Sequence, residues 1–270
     1  MNQKIRKKRY LSYNKYRGSI MVVCIWLLIS LSFLALSVGR LAYSQIKFSR
    51  FYHGREFSYY LAKAAVREAV AGRANDLTLG YDTLYELRTV RPIDFEGIRG
   101  EYYLIDEGSK INVNTANKEI LAGILNSEDL AQQIIDYRQD ERLFIAIEEI
   151  MGLEIEEENF SRIKDFITVN SNGYVNVNTA AGEVFLALGC NSTSVEKILD
   201  YREDNIFDSQ AAISSVFNDL GIECGYTNLL KAVSSAYTIK TSAYIGERAV
   251  GSFDIIYVSA DNSIKSWKTP

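Results

Sequence analysis

Few side chains in this sequence belong to the types that do chemistry on a substrate. His53 is the single histidine, set among Phe51, Tyr52 and Gly54, where a surface or interface role suits it better than that of a general base. Of three cysteines, Cys24 lies in an apolar run, while Cys190 and Cys224 stand 34 residues apart. That separation permits a stabilising disulfide, and the sequence leaves a bridge and two buried thiols both open. No Cys and His spacing suits zinc, and no nucleophile elbow or phosphate loop is present. The expectation is a protein without catalytic residues or a cofactor. Glu148, Glu149, Glu154, Glu156, Glu157 and Glu158 form an acidic cluster. Oxygen-rich runs can hold calcium, but this one lacks the alternating Asp/Asn ligands and the glycine of a calcium loop, so calcium is an option without assigned ligands.

The polar residues that do recur at fixed spacing are asparagines, threonines, aspartates and arginines. INVNTANKE (residues 111–119) returns as VNVNTAAGE (175–183), and IIDYRQD (134–140) as ILDYRED (198–204), always at an offset of 64. Asn112, Asn114, Thr115, Asp136 and Arg138 thus have identical partners in Asn176, Asn178, Thr179, Asp200 and Arg202. Such self-similarity marks a duplicated unit of short helices, here of about 60 residues. Thr115 and Thr179, or the positions just after them, are placed to cap a helix, with Glu119 and Glu183 in the first turn, where the helix dipole favours negative charge. Arg138 and Arg202 fall near helix C-termini, free to bind loop carbonyls or carboxylates. These roles are structural, at helix caps and helix ends.

What positions the duplicated unit starts with the N-terminus. Seven basic residues and no acidic one precede Gly18, and from Ser19 to Val38 the chain carries no charge. Twenty helical residues cover the roughly 30 Å hydrocarbon core of a bilayer. The positive-inside rule puts the N-terminus in the cytoplasm and sends residues 40–270 across the membrane as a single-pass protein. Without the leader, 23 basic residues face 34 acidic ones, a net charge of -11. Such a surface disfavours nucleic acid and anionic lipid.

The sequence Arg17-Gly18-Ser19 followed by a full-length apolar helix resembles the leader of type IV prepilins and type II secretion pseudopilins. The resemblance implies that a prepilin peptidase cuts between Gly18 and Ser19 and that the new amine of Ser19 is methylated. Most members of that superfamily carry Glu at the fifth mature position, which here is Val23. The absence of that Glu is typical of the minor pseudopilin K family of type II secretion, and YYLIDEGSKINVNTA (102–116) resembles the segment that opens the helical domain of that family. The resemblance implies a tip or initiation complex with the minor pseudopilins I and J, at the front of the pseudopilus. A minor pilin priming a type IV pilus shares the leader, the span and the sheet. NxNTA followed by two helices also occurs in helix-hairpin-helix proteins that bind DNA, but the hairpin stretches GILNSEDLA and GCNSTSVEK lack their paired glycines.

The expected fold class is α+β: a pilin-like fold, with a long N-terminal transmembrane helix on a small antiparallel sheet, and a large inserted α-helical domain made of two helix-hairpin-helix or SAM-like repeats. The expected divisions are a leader over 1–18, the span over 19–38, an amphipathic helix over 39–79 with Tyr59, Ala62, Val66, Ala69 and Val70 on its apolar stripe, and a loop and first strand over 80–110. The inserted domain follows over 111–235, with repeats 111–170 and 175–235, and antiparallel strands over 236–270, rich in β-branched and aromatic residues.

Overall fold

The computed structural model describes residues 17–75, 78, 80–95, 98–139, 142–153 and 155–269. The chain divides into two units, Met1–His53 and Gly54–Pro270. The first unit, as far as it is described, belongs to one helix, α1 (Arg17–Ala74, 58 residues). No proline interrupts it, and its residues from Ile20 to Val38 lie exposed. The hydroxyls of Ser32 and Ser37 donate to the carbonyls of Leu28 and Phe33, each 2.8 Å away and four residues back. Such back-bonding to the helix's own carbonyls satisfies these two hydroxyls without water, as a bilayer interior requires. The most apolar stretch of α1 has a mean hydropathy of 2.6, and among the described residues α1 is a helix long and apolar enough to cross a membrane.

In the second unit the C-terminal part of α1 lies on a five-stranded sheet. After α1 come α2 (Leu84–Arg88), β1 (Arg91–Phe95) and β2 (Ile98–Asp106). A helical insertion follows, and the chain returns to the sheet as β7 (Ala236–Ile245), β8 (Arg248–Val258) and β9 (Ser263–Lys268), in the order β1-β2-β7-β8-β9, antiparallel throughout. The insertion therefore leaves and re-enters between two neighbouring strands. Residues 80–100, expected to be loop before a single strand, hold α2 and β1. Thr83 caps α2 by accepting from the Glu86 amide at 3.2 Å, and Pro92 is tolerated because β1 is an edge strand.

The buried face of α1 runs through Ser58, Leu61, Ala62, Ala65, Val66 and Ala69, a helical spacing that meets Tyr102, Leu104, Ile239, Phe253 and Ile255 of the sheet. Tyr59, expected on this stripe, is 39% exposed and instead packs its ring edge on Phe253 and Trp267. Small residues let helix and sheet approach closely. A Cβ on Gly100 would stand 2.0 Å from the Leu61 side chain, and one on Gly251 would meet the Ser58 hydroxyl. Gly54, which the sequence offers as a place where the helix could loosen, lies against Val250.

The insertion carries β3 (Ile111–Asn112), α3 (Lys118–Leu125), α4 (Glu128–Gln139), α5 (Glu157–Ile163) and β4 (Ile167–Thr168), then β5 (Val175–Asn176), α6 (Gly182–Ala187), α7 (Ser192–Asp204), α8 (Gln210–Leu220) and β6 (Leu230–Lys231). Each repeat is closed by a two-residue parallel ladder joining its beginning to its end, β3 with β4 and β5 with β6. The two repeats share one core, from Ile120, Leu121 and Ile134 to Phe185, Leu188 and Ile198. Each such aliphatic side chain contributes roughly 1.5–3 kcal/mol by leaving water. This core is distinct from the one under α1, and a buried polar layer separates them.

Candidate functional site

The duplicated polar residues build the same device twice. In repeat 1 the Asn112 side chain accepts from the Asn114 amide at 2.8 Å, closing a turn ahead of α3. Asn114 then pins the loop after α4, donating to the Phe144 carbonyl and accepting from the Phe144 amide, both at 2.9 Å. Arg138, from the last turn of α4, reaches back to the carbonyls of Val113 and Ala116 at 3.0 and 2.8 Å. Repeat 2 copies each step. Asn176 accepts from the Asn178 amide at 3.0 Å, Asn178 exchanges bonds of 2.9 and 3.0 Å with the Phe207 backbone, and Arg202 donates to the carbonyls of Val177 and Ala180 at 2.9 and 2.7 Å. Burial holds both guanidinium groups below their ordinary pKa, Arg202 at about 10. Each arginine ties the end of the hairpin's second helix to the turn before its first.

One expectation needs correction here. Thr115 and Thr179 cap no helix, because the Asn-x-Asn-Thr turn ends before the cap position is reached. Asn117 caps α3, accepting from the Ile120 amide at 2.9 Å, and Ala181 starts α6 with no side-chain cap. Asp136 and Asp200 stand near the ends of α4 and α7, exposed and outside the arginine clamp, and Asp136 accepts from Gln132 on its own helix at 2.8 Å.

Where the insertion meets the sheet, three carboxylates are buried: Asp82 in the loop after α1, and Asp106 and Glu107 at the end of β2. The Asp82 side chain pairs with Arg73 and accepts from the Ser234 amide and the Tyr237 hydroxyl, both at 2.8 Å. Burial, reinforced by Asp82, holds the Tyr237 phenol well above its ordinary pKa. Glu107 receives the Thr168 hydroxyl at 2.5 Å, Thr238 at 2.7 Å and Lys110 at 2.9 Å. Burial pushes its pKa up, but Lys110 and these hydroxyls outweigh that and leave it lowered. Asp106 has neutral donors as its hydrogen-bond partners: the Gly108 amide at 2.7 Å and the Ser234 hydroxyl on one oxygen, Asn176 at 2.9 Å and Thr179 at 2.5 Å on the other. With no lysine or arginine among those partners, burial raises it to about 6. Thr168 thus fastens repeat 1 to the sheet, and Asn176 and Thr179 fasten repeat 2. Asp82, Glu107, Thr168, Ser234 and Tyr237 were not singled out from sequence. The available signal was an acidic pair directly after the strand-like YYLI.

The structure joins Cys190 and Cys224 as a disulfide between the α6–α7 turn and the segment after α8. Gly18 and Ser19 fall in the first turn of α1 and Val23 on its exposed surface, while residues 1–16, expected to form most of a leader, lie outside the described residues. No cluster of three or more His, Cys, Asp or Glu is placed to hold a metal among the described residues. The hairpin turns use Asn126 and Gly189 in left-handed backbone.

These features define a pilin-like α+β fold with a two-repeat helical insertion. A chain of the GspK-GspI-GspJ complex of the type 2 secretion system from enterotoxigenic Escherichia coli has the same fold, with a TM-score of 0.57 over 83% of this chain and 98% of that chain, at 10% identity. No family model and no curated protein sequence matches the chain.

Proposed function

We propose that this chain is a minor pseudopilin of type II secretion, of the K kind. It is held in the inner membrane by the N-terminal part of α1, with its N-terminus in the cytoplasm, and joins the minor pseudopilins I and J in the complex that starts and caps the pseudopilus. The observation that carries this reading is the insertion of two fused repeats between neighbouring strands of the sheet, in a chain whose fold matches nearly the whole of a chain of the GspK-GspI-GspJ complex. An insert of this bulk is hard to bury within a tightly wound shaft and easy to place at its end. Val23 supports the same position, since it offers no carboxylate to the amine of a neighbouring subunit. Maturation would proceed by cleavage after Gly18 and methylation of Ser19.

The test is co-expression of the full chain with the I and J pseudopilins of its own secretion system. The expected result is a three-subunit complex after affinity purification, with a mature N-terminus beginning at Ser19. Gly18→Leu should leave the leader uncut and abolish both assembly and secretion. Distribution of the chain all along the fibre shaft, or normal processing and secretion in the Gly18→Leu strain, would sink the proposal.

A further inference from the structure

The start of repeat 1, the linker between the repeats and the end of repeat 2 line a groove of about 390 Å³, at the small end of the roughly 300–1,000 Å³ usual for ligand sites. Thr115 and Asn117 come from the start of repeat 1, Asn172 and Tyr174 from the linker, and Tyr226 and Asn228 from the end of repeat 2. Gly173 draws the linker inward. Its backbone is left-handed, with φ of 87°, and a Cβ there would stand 2.5 Å from the Thr115 hydroxyl. Only glycine allows both the conformation and the approach.

The groove carries no charge. Neither acid nor base lines it, on a chain where 30 basic and 34 acidic residues are otherwise spread through the sequence. A phosphate or carboxylate ligand would meet no cation here, and a cationic ligand no carboxylate, so each would lose hydration without an ion to replace it. What the wall offers is neutral hydrogen bonding of both kinds. The hydroxyls of Thr115, Tyr174 and Tyr226 donate and accept, and the Asn228 amide presents an oxygen and an N–H group. Asn117 and Asn172 commit their oxygens to the Ile120 amide at 2.9 Å and the Tyr174 amide at 3.2 Å, which turns their N–H groups to other acceptors. Asn112, by contrast, serves the fold, giving its amide to the Ser171 carbonyl.

Donors and acceptors set side by side match a ligand whose own groups do both, and sugar hydroxyls are of that type. The aromatic rings add the second half of the fit. Tyr174 is 42% exposed, with Lys231 over its ring at 4.9 Å to hold its orientation, and a flat aromatic surface packs against the C–H face of a pyranose. An aliphatic ligand would leave the amides and hydroxyls unpaired. We propose that this groove binds a short, uncharged oligosaccharide, with its hydroxyls on Thr115, Asn117, Asn172 and Asn228 and a sugar ring against Tyr174. The proposal does not depend on which secretion or pilus system the chain serves.

The test is isothermal titration calorimetry of the full chain, held in a detergent without a sugar head group, with cellotetraose, chitotetraose and maltotetraose as ligands. All three are neutral chains of pyranose rings. They differ in the acetamido group and in linkage, so their order of affinity distinguishes which saccharide the groove accepts. Saturable binding of at least one is expected, millimolar or tighter and unchanged by added salt, because no ionic contact contributes. Tyr174→Ala should weaken it about tenfold and Asn228→Ala about fivefold. Asn228 is exposed, so Asn228→Ala should leave the unfolding midpoint unchanged and carries the test if Tyr174→Ala disturbs folding. The proposal fails if none of the three sugars binds saturably, if the folded variants bind as wild type does, if salt abolishes the binding, or if adenosine binds more tightly than every sugar.

Discussion

The two repeats carry the same clamp in unequal surroundings. In repeat 1 the Asn-x-Asn-Thr turn has Thr115 in water and Asn114 half-buried; in repeat 2 the equivalent Thr179 and Asn178 are buried. Repeat 2 adds a third bond to Asn178, which also reaches the Ala232 carbonyl at 3.3 Å. It also sets Arg202 over the Phe185 ring at 5.6 Å and holds the disulfide. Repeat 1 ends in an exposed tip, with Leu143 at 62% and Ile145 at 85% exposure. The position equivalent to Cys190 is Asn126, the left-handed residue that ends α3. Duplicated sequence therefore specifies duplicated local geometry, while the contacts outside the motif decide how much each copy matters. Repeat 2 is wedged against the sheet, and repeat 1 keeps an open side.

The sharpest way to break this comparison is to reduce the disulfide. Closing a loop of 34 residues removes unfolded-state entropy worth about 4 kcal/mol in the chain-entropy model. Reduction, or Cys190→Ser, should lower stability by an amount of that order, and hydrogen exchange should rise in α6–α8 far more than in α3 and α4. Reduction followed by alkylation should add two labels to the chain only after reductant, once Cys24 is blocked. Labelling of both thiols without reductant, or equal loosening of both repeats, would contradict the asymmetry.

Next in size is the paired replacement of the clamping arginines. Arg202→Ala strands two buried carbonyls and removes two charge-assisted hydrogen bonds, a loss of about 3–4 kcal/mol, whereas Arg138→Ala, in the more open repeat, should cost about 2 kcal/mol. Denaturant unfolding of the two variants measures the difference. Equal losses would mean that burial around the clamp has no bearing on its strength.

Much of this was legible in the sequence, for identifiable reasons. The 64-residue offset gave the repeats because identical residues at one spacing need no structure to be seen, and β-branched and aromatic runs in the tail gave β7, β8 and β9. The carbonyl-binding role of Arg138 and Arg202 followed from their place in a helix's last turn. Of the capping positions offered, Thr115 and Thr179 or those just after them, the threonines are not the caps, because a polar residue shortly before a helix does not announce whether the chain makes an extra turn first. Only Asn117, two residues on, reaches the cap. The carboxylate layer was hidden for another reason. Asp106 and Glu107 sit in DEGSK, a sequence with every mark of an exposed turn, and their partners Thr168, Asn176, Ser234 and Thr238 are up to 131 residues away. A buried ion is specified by donors that only the tertiary fold brings together.

The last and smallest predicted effect concerns pH, and it separates the repeats because only repeat 2 rests on a group that titrates near neutrality. Asp106 has a folded pKa of about 6 against an ordinary 3.8, so between these values the folded chain keeps a proton that the unfolded chain has released. Its contribution is full below about pH 3.8, declines as pH rises to about 6 and is level beyond, a change on the order of 2–3 kcal/mol. Glu107, lowered from 4.5, acts in the opposite sense, adding stability above that pH and losing it as pH falls through its folded value. Between pH 4.5 and 6.5 the Asp106 slope should therefore dominate. The Asp106→Asn chain should be less stable overall, since its new amide meets the Asn176 donor, and should lack that slope. Thr168→Val, at the foot of repeat 1, should leave the slope in place. If Asp106→Asn and wild type trace parallel stability curves over that range, the repeat 2 contact does not titrate there, and the two feet of the insertion are electrostatically alike.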